Sequence, residues 1–241
     1  MKISIGQDTV YEKYWDEDCR RNIYSASKSF TSCAVGFAVQ EGLIDLDERL
    51  MDAFKEDIPN NPDENLKKAT VKDLLTMTLG QEKGFLMGKQ RPRMEEQNWV
   101  KASLAIPFVY EPGTHFVYNN VGPYLAGILV QRRAGCDLLS YLTPRLLKPL
   151  GIRKTIWEVD PEGNTFGAGG LFLTVSELHK LGMFYLQNGC WNGKKLLSKE
   201  WIHESTRKQV ENNKTLMVMD TYSGAAVITV FWPMENMVNT P

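Results

Sequence analysis

Apolar and polar residues alternate near the start of the chain, in two short stretches. Residues 2–5 and 9–14 alternate on either side of the turn Gly6-Gln7-Asp8. A period of two, broken by a turn that contains glycine, is typical of a β-hairpin. We therefore expect the first secondary structure to be a pair of antiparallel strands.

The pattern then changes to a helical one. Between residues 25 and 42 apolar residues recur three and four positions apart, and many of the other positions hold alanine, serine, cysteine or glycine. Such small side chains let neighbouring elements approach closely. We predict a central, buried helix that begins near Ser25 and ends at Gly42, a residue type that favours helix ends.

Further helices follow, separated by one long loop. Residues 70–73, Thr-Val-Lys-Asp, resemble a helix-starting capping box with aspartate as the fourth residue. Residues 80–98 are polar and contain several glycines, which predicts a long surface loop of the kind that often borders a site. A strand hairpin followed by many helices favours an α+β fold. The remaining predicted helices cover residues 71–78, 121–135, 175–189 and 199–209.

The composition of the chain excludes several classes of function. The 241 residues include 28 basic and 29 acidic side chains, so the wide basic field of a nucleic-acid-binding protein is absent. No apolar run approaches the roughly 20 residues of a membrane helix, and we expect no membrane partner. The start of the chain lacks the pattern of a signal peptide, which favours a cytoplasmic location unless a preceding segment is missing.

Metal and redox chemistry are not expected either. The four cysteines are far apart, none forms a Cys-x-x-Cys pair, and there are three histidines. A zinc site needs four such ligands at closer spacing. We therefore predict no metal and no cofactor. The cysteines are Cys19, Cys33, Cys136 and Cys190.

Two stretches carry the pattern Ser-x-x-Lys, at residues 25–28 and 205–208. On a helix, residues three apart lie on one face, so the Lys28 amine can reach the Ser25 hydroxyl. A buried lysine loses solvation, and its pKa falls toward the range of a general base. The helix N-terminus also offers an N–H group and a positive dipole end to a developing oxyanion.

Structural interpretations of both stretches remain open. Ser25 can be a helix cap, with Lys28 a surface lysine whose stem packs on the protein. Ser205 lies among charged residues, which predicts a solvated helix face without function.

The sequence Tyr118-Asn119-Asn120 adds a second candidate element. It follows a Pro-Gly turn and precedes the predicted helix 121–135. A tyrosine hydroxyl near a lysine can relay a proton to a leaving group, and the Asn120 amide can bind a substrate amide. A packed aromatic residue followed by a turn-forming asparagine is the structural alternative.

Taken in order, these segments resemble consecutive blocks of the serine β-lactamase-like hydrolases, in the branch of class C β-lactamases, esterases and 6-aminohexanoate-dimer hydrolases. The resemblance covers residues 20–210. Its blocks are YSASKSFTSCAVGFAVQEGLIDLDERL, TVKDLLTMTLG, PGTHFVYNNVGPYLAGIL, PRLLKPLGI and GAGGLFLTVSELHKLGMFYLQNGCWNGKKLL.

The resemblance implies both a site and a fold. Its catalytic residues would be Ser25 as the acylated nucleophile, Lys28 as the base and Tyr118 as the proton relay. Its substrate-binding residues would be Asn120, Gly169 and Gly170. The loop that holds Phe85–Met87 would border the cleft. The implied fold is an antiparallel sheet flanked by helices, with a helical subdomain. We expect one domain over 1–241, with a mixed part near 1–35 and 150–241 and a helical part near 36–149.

The resemblance breaks near the end of the chain. The family's third element is a late strand with Lys or His, a small residue and Gly, which supplies the second oxyanion N–H, and we do not find it. We therefore expect the C-terminal strands and closing helix to be missing. A shift of the reading frame in the gene is one explanation. If the DNA is read one base earlier, the codons of Trp232-Pro233 contain an alanine codon, and those of Met234-Glu235 and Met237-Val238 each contain a glycine codon.

Three functions follow from these observations. The first is a serine hydrolase that forms an acyl-enzyme on a small-molecule amide, ester or lactam. The second is an impaired or pseudoenzyme form that at most binds ligand or acylates slowly, since losing one oxyanion donor costs ~10²–10³ in rate. The third is an interaction domain in which Ser25 is only a cap. The natural substrate and the oligomeric state are not predicted.

Overall fold

The computed structural model of the chain describes residues 1–210. Within them, short strands precede and interrupt a set of helices, which confirms the expected α+β class. The helices are α1 (Ser27–Gln40), α2 (Leu50–Ala53), α3 (Glu64–Lys68), α4 (Val71–Leu75), α5 (Trp99–Leu104), α6 (Val121–Ala134), α7 (Leu138–Leu142), α8 (Val175–Leu186) and α9 (Lys199–Thr206).

The strands form three antiparallel pairs in the described part of the chain. They are β1 (Lys2–Ile5), β2 (Asp8–Glu12), β3 (Arg21–Asn22), β4 (Phe172–Leu173), β5 (Cys190–Trp191) and β6 (Lys194–Lys195), paired in the order β1 with β2, β3 with β4 and β5 with β6. The pair β1–β2 is the predicted hairpin, with a bulge between Ile3 and Ser4. The pair β3–β4 sets Asn22 opposite Phe172.

Helices α1 and α6 form the centre of the molecule and pack on each other. Every residue of α1 from Ser27 to Ala38 is buried, which confirms the predicted central helix. Helix α6 also packs against α4, where a side chain at Gly122 would come within 2.2 Å of the Leu74 carbonyl oxygen. The small residues therefore permit close contact between helix backbones.

Local signals in the sequence mark several helix ends correctly. Thr70 and Asp73 form the capping box at the start of α4, with aspartate in the place of the usual glutamate. Thr174 and Glu177 form another at the start of α8. Gly135 ends α6 in the left-handed conformation. The first of these was predicted from the sequence, and all of them depend on residues close together in the chain.

The segment from 80 to 98 is less exposed than predicted. Its regular structure is one 3-10 turn, Arg91–Arg93. However, Gln81 and Leu86 are buried, and the Gln81 amide donates to the Ser103 carbonyl at 2.8 Å. The loop is thus partly an internal element that packs beside the start of α6.

Some expectations are not addressed by this part of the chain. The missing strands, the closing helix and the frameshift concern residues 215–241, which lie outside the described residues. The division into mixed and helical parts stays a prediction. No helix within residues 1–210 has both the length and the apolar character needed to cross a bilayer.

Candidate active site

Ser25 lies in a 3-10 turn, Tyr24–Ala26, directly before α1. The helix N-cap is Ala26, whose backbone is already helical, and no side chain caps this end. Ser25 therefore does not act as a helix cap, and that structural alternative is wrong. Its half-buried side chain is left to interact with other groups.

Lys28 is fully buried one turn further on. Its amine donates to Ser25 Oγ at 3.0 Å and to the Ala168 carbonyl at 2.6 Å, and it lies 5.3 Å from the centre of the Tyr118 ring. Burial lowers the pKa of Lys28 to about 7, and the positive charge of Arg91 lowers it as well. The interpretation of Lys28 as a surface lysine is therefore wrong, and its amine can accept a proton near neutral pH.

Tyr118 reaches the same hydroxyl from another part of the chain. Its phenol donates to Ser25 Oγ at 2.9 Å across 93 residues of sequence. The loop that carries it is fixed by a hydrogen bond from the Val117 N–H to the Met77 carbonyl at 2.9 Å. Burial raises the pKa of Tyr118, so the phenol keeps its proton at neutral pH. Ser25 thus lies between an amine and a phenol.

Asn120 lies at the start of α6, against the loop 80–98. Its Nδ2 donates to the Leu86 carbonyl at 3.0 Å, and its backbone N–H donates to the Phe85 carbonyl at 3.3 Å. Its Oδ1 is buried and has no hydrogen-bond partner among residues 1–210. The side chain of the predicted substrate-binding residue is therefore held through its nitrogen, against the loop 80–98.

Asn119 was missed in the sequence. Its Oδ1 accepts from the backbone N–H groups of Phe85 and Val121, both at 3.0 Å. It thereby joins the loop bordering the site to the first residue of α6. The bond to a residue two positions later is a common asparagine pattern, which was the one local signal for it.

Gly169 and Gly170 follow directly on Ala168, the carbonyl partner of Lys28. The Gly169 carbonyl accepts from the Trp157 indole at 2.8 Å. Gly170 has φ +83°, and a side chain there would come within 2.5 Å of Glu158 Cβ. The two glycines thus shape the backbone beside Lys28. A side chain at Gly169 would come within 3.7 Å of the Tyr24 carbonyl oxygen, one residue before Ser25.

Arg91 and Glu158 form an ion pair near the site that sequence analysis did not find. Arg91 Nη1 is 3.1 Å from Glu158 Oε2, and the guanidinium carbon lies 4.3 Å from the centre of the Phe166 ring. Arg91 belongs to the loop predicted to border a site, which was the available signal. Nothing local in the sequence connects it with Glu158, 67 residues away.

The second Ser-x-x-Lys stretch is built differently. Ser205 is 1% exposed, and its hydroxyl donates to the Ile202 carbonyl at 3.0 Å. The prediction of a solvated face for Ser205 is therefore wrong, because this side of α9 packs on the core. Lys208 lies beyond the helix end and is exposed. In the described range, no group of three His, Cys, Asp or Glu side chains is placed to hold a metal ion.

Comparison with known proteins now connects this geometry to a family. The protein-family model named Beta-lactamase matches residues 2–220, most of the chain. The chain belongs to the beta-lactamase family. The resemblance stated from the sequence is thereby confirmed.

Curated members of this beta-lactamase family carry out acyl transfer and ester hydrolysis. A monacolin J acid methylbutanoyltransferase from Aspergillus terreus is 31% identical over 157 residues, covering 57% of this chain and 37% of that protein. A lovastatin esterase from Penicillium rubens is 31% identical over 150 residues, covering 53% and 37%. The chain therefore spans little more than a third of the length of these relatives.

Solved structures of the beta-lactamase family share the fold. A protein from Bacillus anthracis, described as a 6-aminohexanoate-dimer hydrolase, superposes with a TM-score of 0.71 at 21% identity, over 84% of this chain and 57% of that one. An octameric penicillin-binding protein homologue from Pyrococcus abyssi gives 0.67 at 23% identity, over 86% and 55%. The β-lactamase/transpeptidase-like fold is therefore confirmed.

Proposed function

We propose that this chain is a serine hydrolase that forms an acyl-enzyme on Ser25 from a small-molecule ester, amide or lactam. One observation carries the proposal: Ser25 Oγ lies 3.0 Å from the Lys28 amine and 2.9 Å from the Tyr118 phenol. A weak nucleophile next to a base, with a second proton carrier in reach, is the arrangement that covalent catalysis needs.

Lys28 acts as the base in the acylation step. A neutral amine takes the Ser25 proton while Oγ bonds to the substrate carbonyl carbon, which gives a tetrahedral oxyanion and an ammonium. When the carbonyl re-forms, the bond to the leaving alcohol or amine breaks. The leaving group receives a proton from the Tyr118 phenol, which is reprotonated by Lys28. The products are an ester on Ser25, the protonated leaving group and the regenerated base.

Deacylation decides between hydrolysis and transfer. Water attacking the Ser25 ester releases an acid, whereas an acceptor hydroxyl takes the acyl group and makes a new ester. The activities named for relatives, an esterase and a methylbutanoyltransferase, support an ester carbonyl as the reacting group. We propose that Asn120, at the start of α6, helps to bind the substrate, and that Gly169 and Gly170 line the cleft.

Intact-protein mass spectrometry tests this proposal directly. The full chain is incubated with a p-nitrophenyl ester and, separately, with a chromogenic cephalosporin. We expect one acyl adduct per chain, lost in Ser25→Ala because the nucleophile is removed. Ser205→Ala is the matched control, since it alters the serine of the second Ser-x-x-Lys stretch, and it should acylate like the wild type.

The outcomes separate the alternatives. An adduct followed by turnover supports a hydrolase. A slow, stoichiometric adduct without turnover supports the impaired form. A folded chain without an adduct on Ser25 would overturn the proposal.

A further inference from the structure

The residue before the nucleophile has an unfavourable backbone conformation. Tyr24 has φ +48°, in the left-handed region that side chains with a Cβ rarely adopt. The residue is 70% exposed, so packing of its side chain does not hold it there. A strained conformation of this kind persists only where the surroundings fix it.

Hydrogen bonds hold both ends of Tyr24. Its N–H donates to Asn22 Oδ1 at 2.7 Å, and its carbonyl accepts from the Ser27 hydroxyl at 2.6 Å. The Ser27 oxygen in turn accepts from the Leu171 N–H at 3.0 Å. The turn that presents Ser25 is therefore fixed by side chains.

The Asn22 bond works in only one orientation of its amide. An asparagine has a donating NH₂ and an accepting oxygen, and a rotated amide would point its NH₂ at the Tyr24 N–H. Glu158 selects the orientation, since its Oε1 accepts from Asn22 Nδ2 at 3.0 Å. A carboxylate offers acceptors only, so the Asn22 nitrogen must face it.

Two further contacts fix Glu158 itself. Arg91 binds its other oxygen, Oε2, at 3.1 Å. Gly170 leaves the space that its side chain occupies, because a Cβ at that position would lie within 2.6 Å of Oε2. Arg91, Glu158, Asn22 and Tyr24 are thus joined in series, ending one residue before Ser25.

We propose that Glu158 is a positioning residue for the nucleophile: it orients the Asn22 amide, which holds Tyr24 in the turn that directs Ser25 at Lys28 and Tyr118. The inference rests on the proposed role of Ser25. It also gives Gly170 a definite structural task, to make room for Glu158.

The variant Glu158→Gln tests the orientation argument. It keeps the size of the side chain but adds an NH₂ group that lets the Asn22 amide rotate. We expect the rate constant for acylation of Ser25 by a p-nitrophenyl ester to fall about tenfold or more, since small displacements of reacting groups are costly. The circular dichroism spectrum should match that of the wild type, whereas partial unfolding would change the spectrum along with the rate.

The control and the rescue make the test specific. Glu162→Gln removes the same charge from an exposed position four residues away and should leave the rate unchanged. Adding Asn22→Asp to Glu158→Gln should restore it to within about threefold, because a carboxylate at 22 accepts from Tyr24 in either orientation. An unchanged rate in Glu158→Gln, or no rescue by Asn22→Asp, would overturn the proposal.

A thiol in place of the hydroxyl separates this inference from the proposed function. In Ser25→Cys, alkylation of the introduced thiol by iodoacetamide, measured on the peptide that contains it, reports its activation by Lys28 without any acyl transfer. Glu158→Gln in that background should slow alkylation at pH 7 severalfold, and Asn22→Asp should restore it. Equal alkylation rates would contradict the positioning role, even if the wild type forms no acyl-enzyme.

Discussion

The chain carries Ser-x-x-Lys twice, and the two copies fold with opposite burial. At residues 25–28 the lysine is fully buried and the serine is half-buried. At residues 205–208 the serine is buried and the lysine is exposed. The first pair is joined by a 3.0 Å hydrogen bond, whereas the Ser205 hydroxyl donates to the Ile202 carbonyl in its own helix.

The difference comes from where each helix begins and ends. A continuous helical turn runs from the 3-10 turn into α1, so Ser25 and Lys28 share a face. Helix α9 ends at Thr206, and Arg207 is extended, so the chain leaves the helix before it reaches Lys208. The spacing of three has chemical meaning only where the helix continues across it.

The largest difference between the two copies should be in acylation. Lys28→Met removes the amine that we propose as the base for Ser25, and we expect the acylation rate to fall by about 10²–10⁴-fold, the usual contribution of general base catalysis. Lys208→Met, the matched change in the other copy, should stay within about twofold of wild type. The measurement is the burst of p-nitrophenol in stopped flow. Similar rates for the two variants would show that the two Ser-x-x-Lys stretches do not differ in acylation.

The pH profile sharpens the same comparison. Lys28 must be neutral to accept a proton, and its pKa is about 7. Below that pH we expect the acylation rate with a neutral ester to fall about tenfold per pH unit, and above it to level off. The profile of Lys208→Met should have the same midpoint as the wild type. A midpoint near the ordinary lysine pKa would contradict the lowered pKa of Lys28, and a rate independent of pH in this range would contradict its role as the base.

Stability should also distinguish the lysines. Folding lowers the pKa of Lys28. Between about pH 7 and 10 its amine is therefore neutral in the folded state and protonated in the unfolded state. The free energy of unfolding should therefore rise with pH, by at most ~1.4 kcal/mol per unit, and Lys28→Met should lose this contribution. Denaturant unfolding at pH 7, 8 and 9 measures the slope, with Lys208→Met as the control. Parallel slopes for wild type and Lys28→Met would contradict the burial of a neutral amine.

Much of the framework could be predicted because its signals are local. The alternation of apolar and polar residues predicted the hairpin β1–β2, and a four-residue pattern predicted the capping box at Thr70. Small residues at helical spacing identified α1 as central. The partial burial of the loop 80–98 was not predicted, since polar composition does not reveal that Gln81 finds a buried carbonyl partner.

The hydrogen bonds that surround the candidate site were harder to predict than the residues that we propose to react. Asn22 and Glu158 are 136 residues apart, and nothing in either neighbourhood suggests their hydrogen bond. Ordinary polar residues acquire such roles only when the fold brings complementary donors and acceptors together.

By itself the sequence determined that Ser25 and Lys28 lie one helical turn apart, because that follows from helix geometry. The sequence also pointed to Tyr118 as a candidate proton relay, and the family resemblance implied the same role, but only the tertiary structure placed its phenol 2.9 Å from Ser25 Oγ. Tertiary structure also decided which of the two lysines, Lys28 or Lys208, is buried away from solvent. Burial depends on every element that packs around a side chain, and burial in turn lowers the pKa of the Lys28 amine.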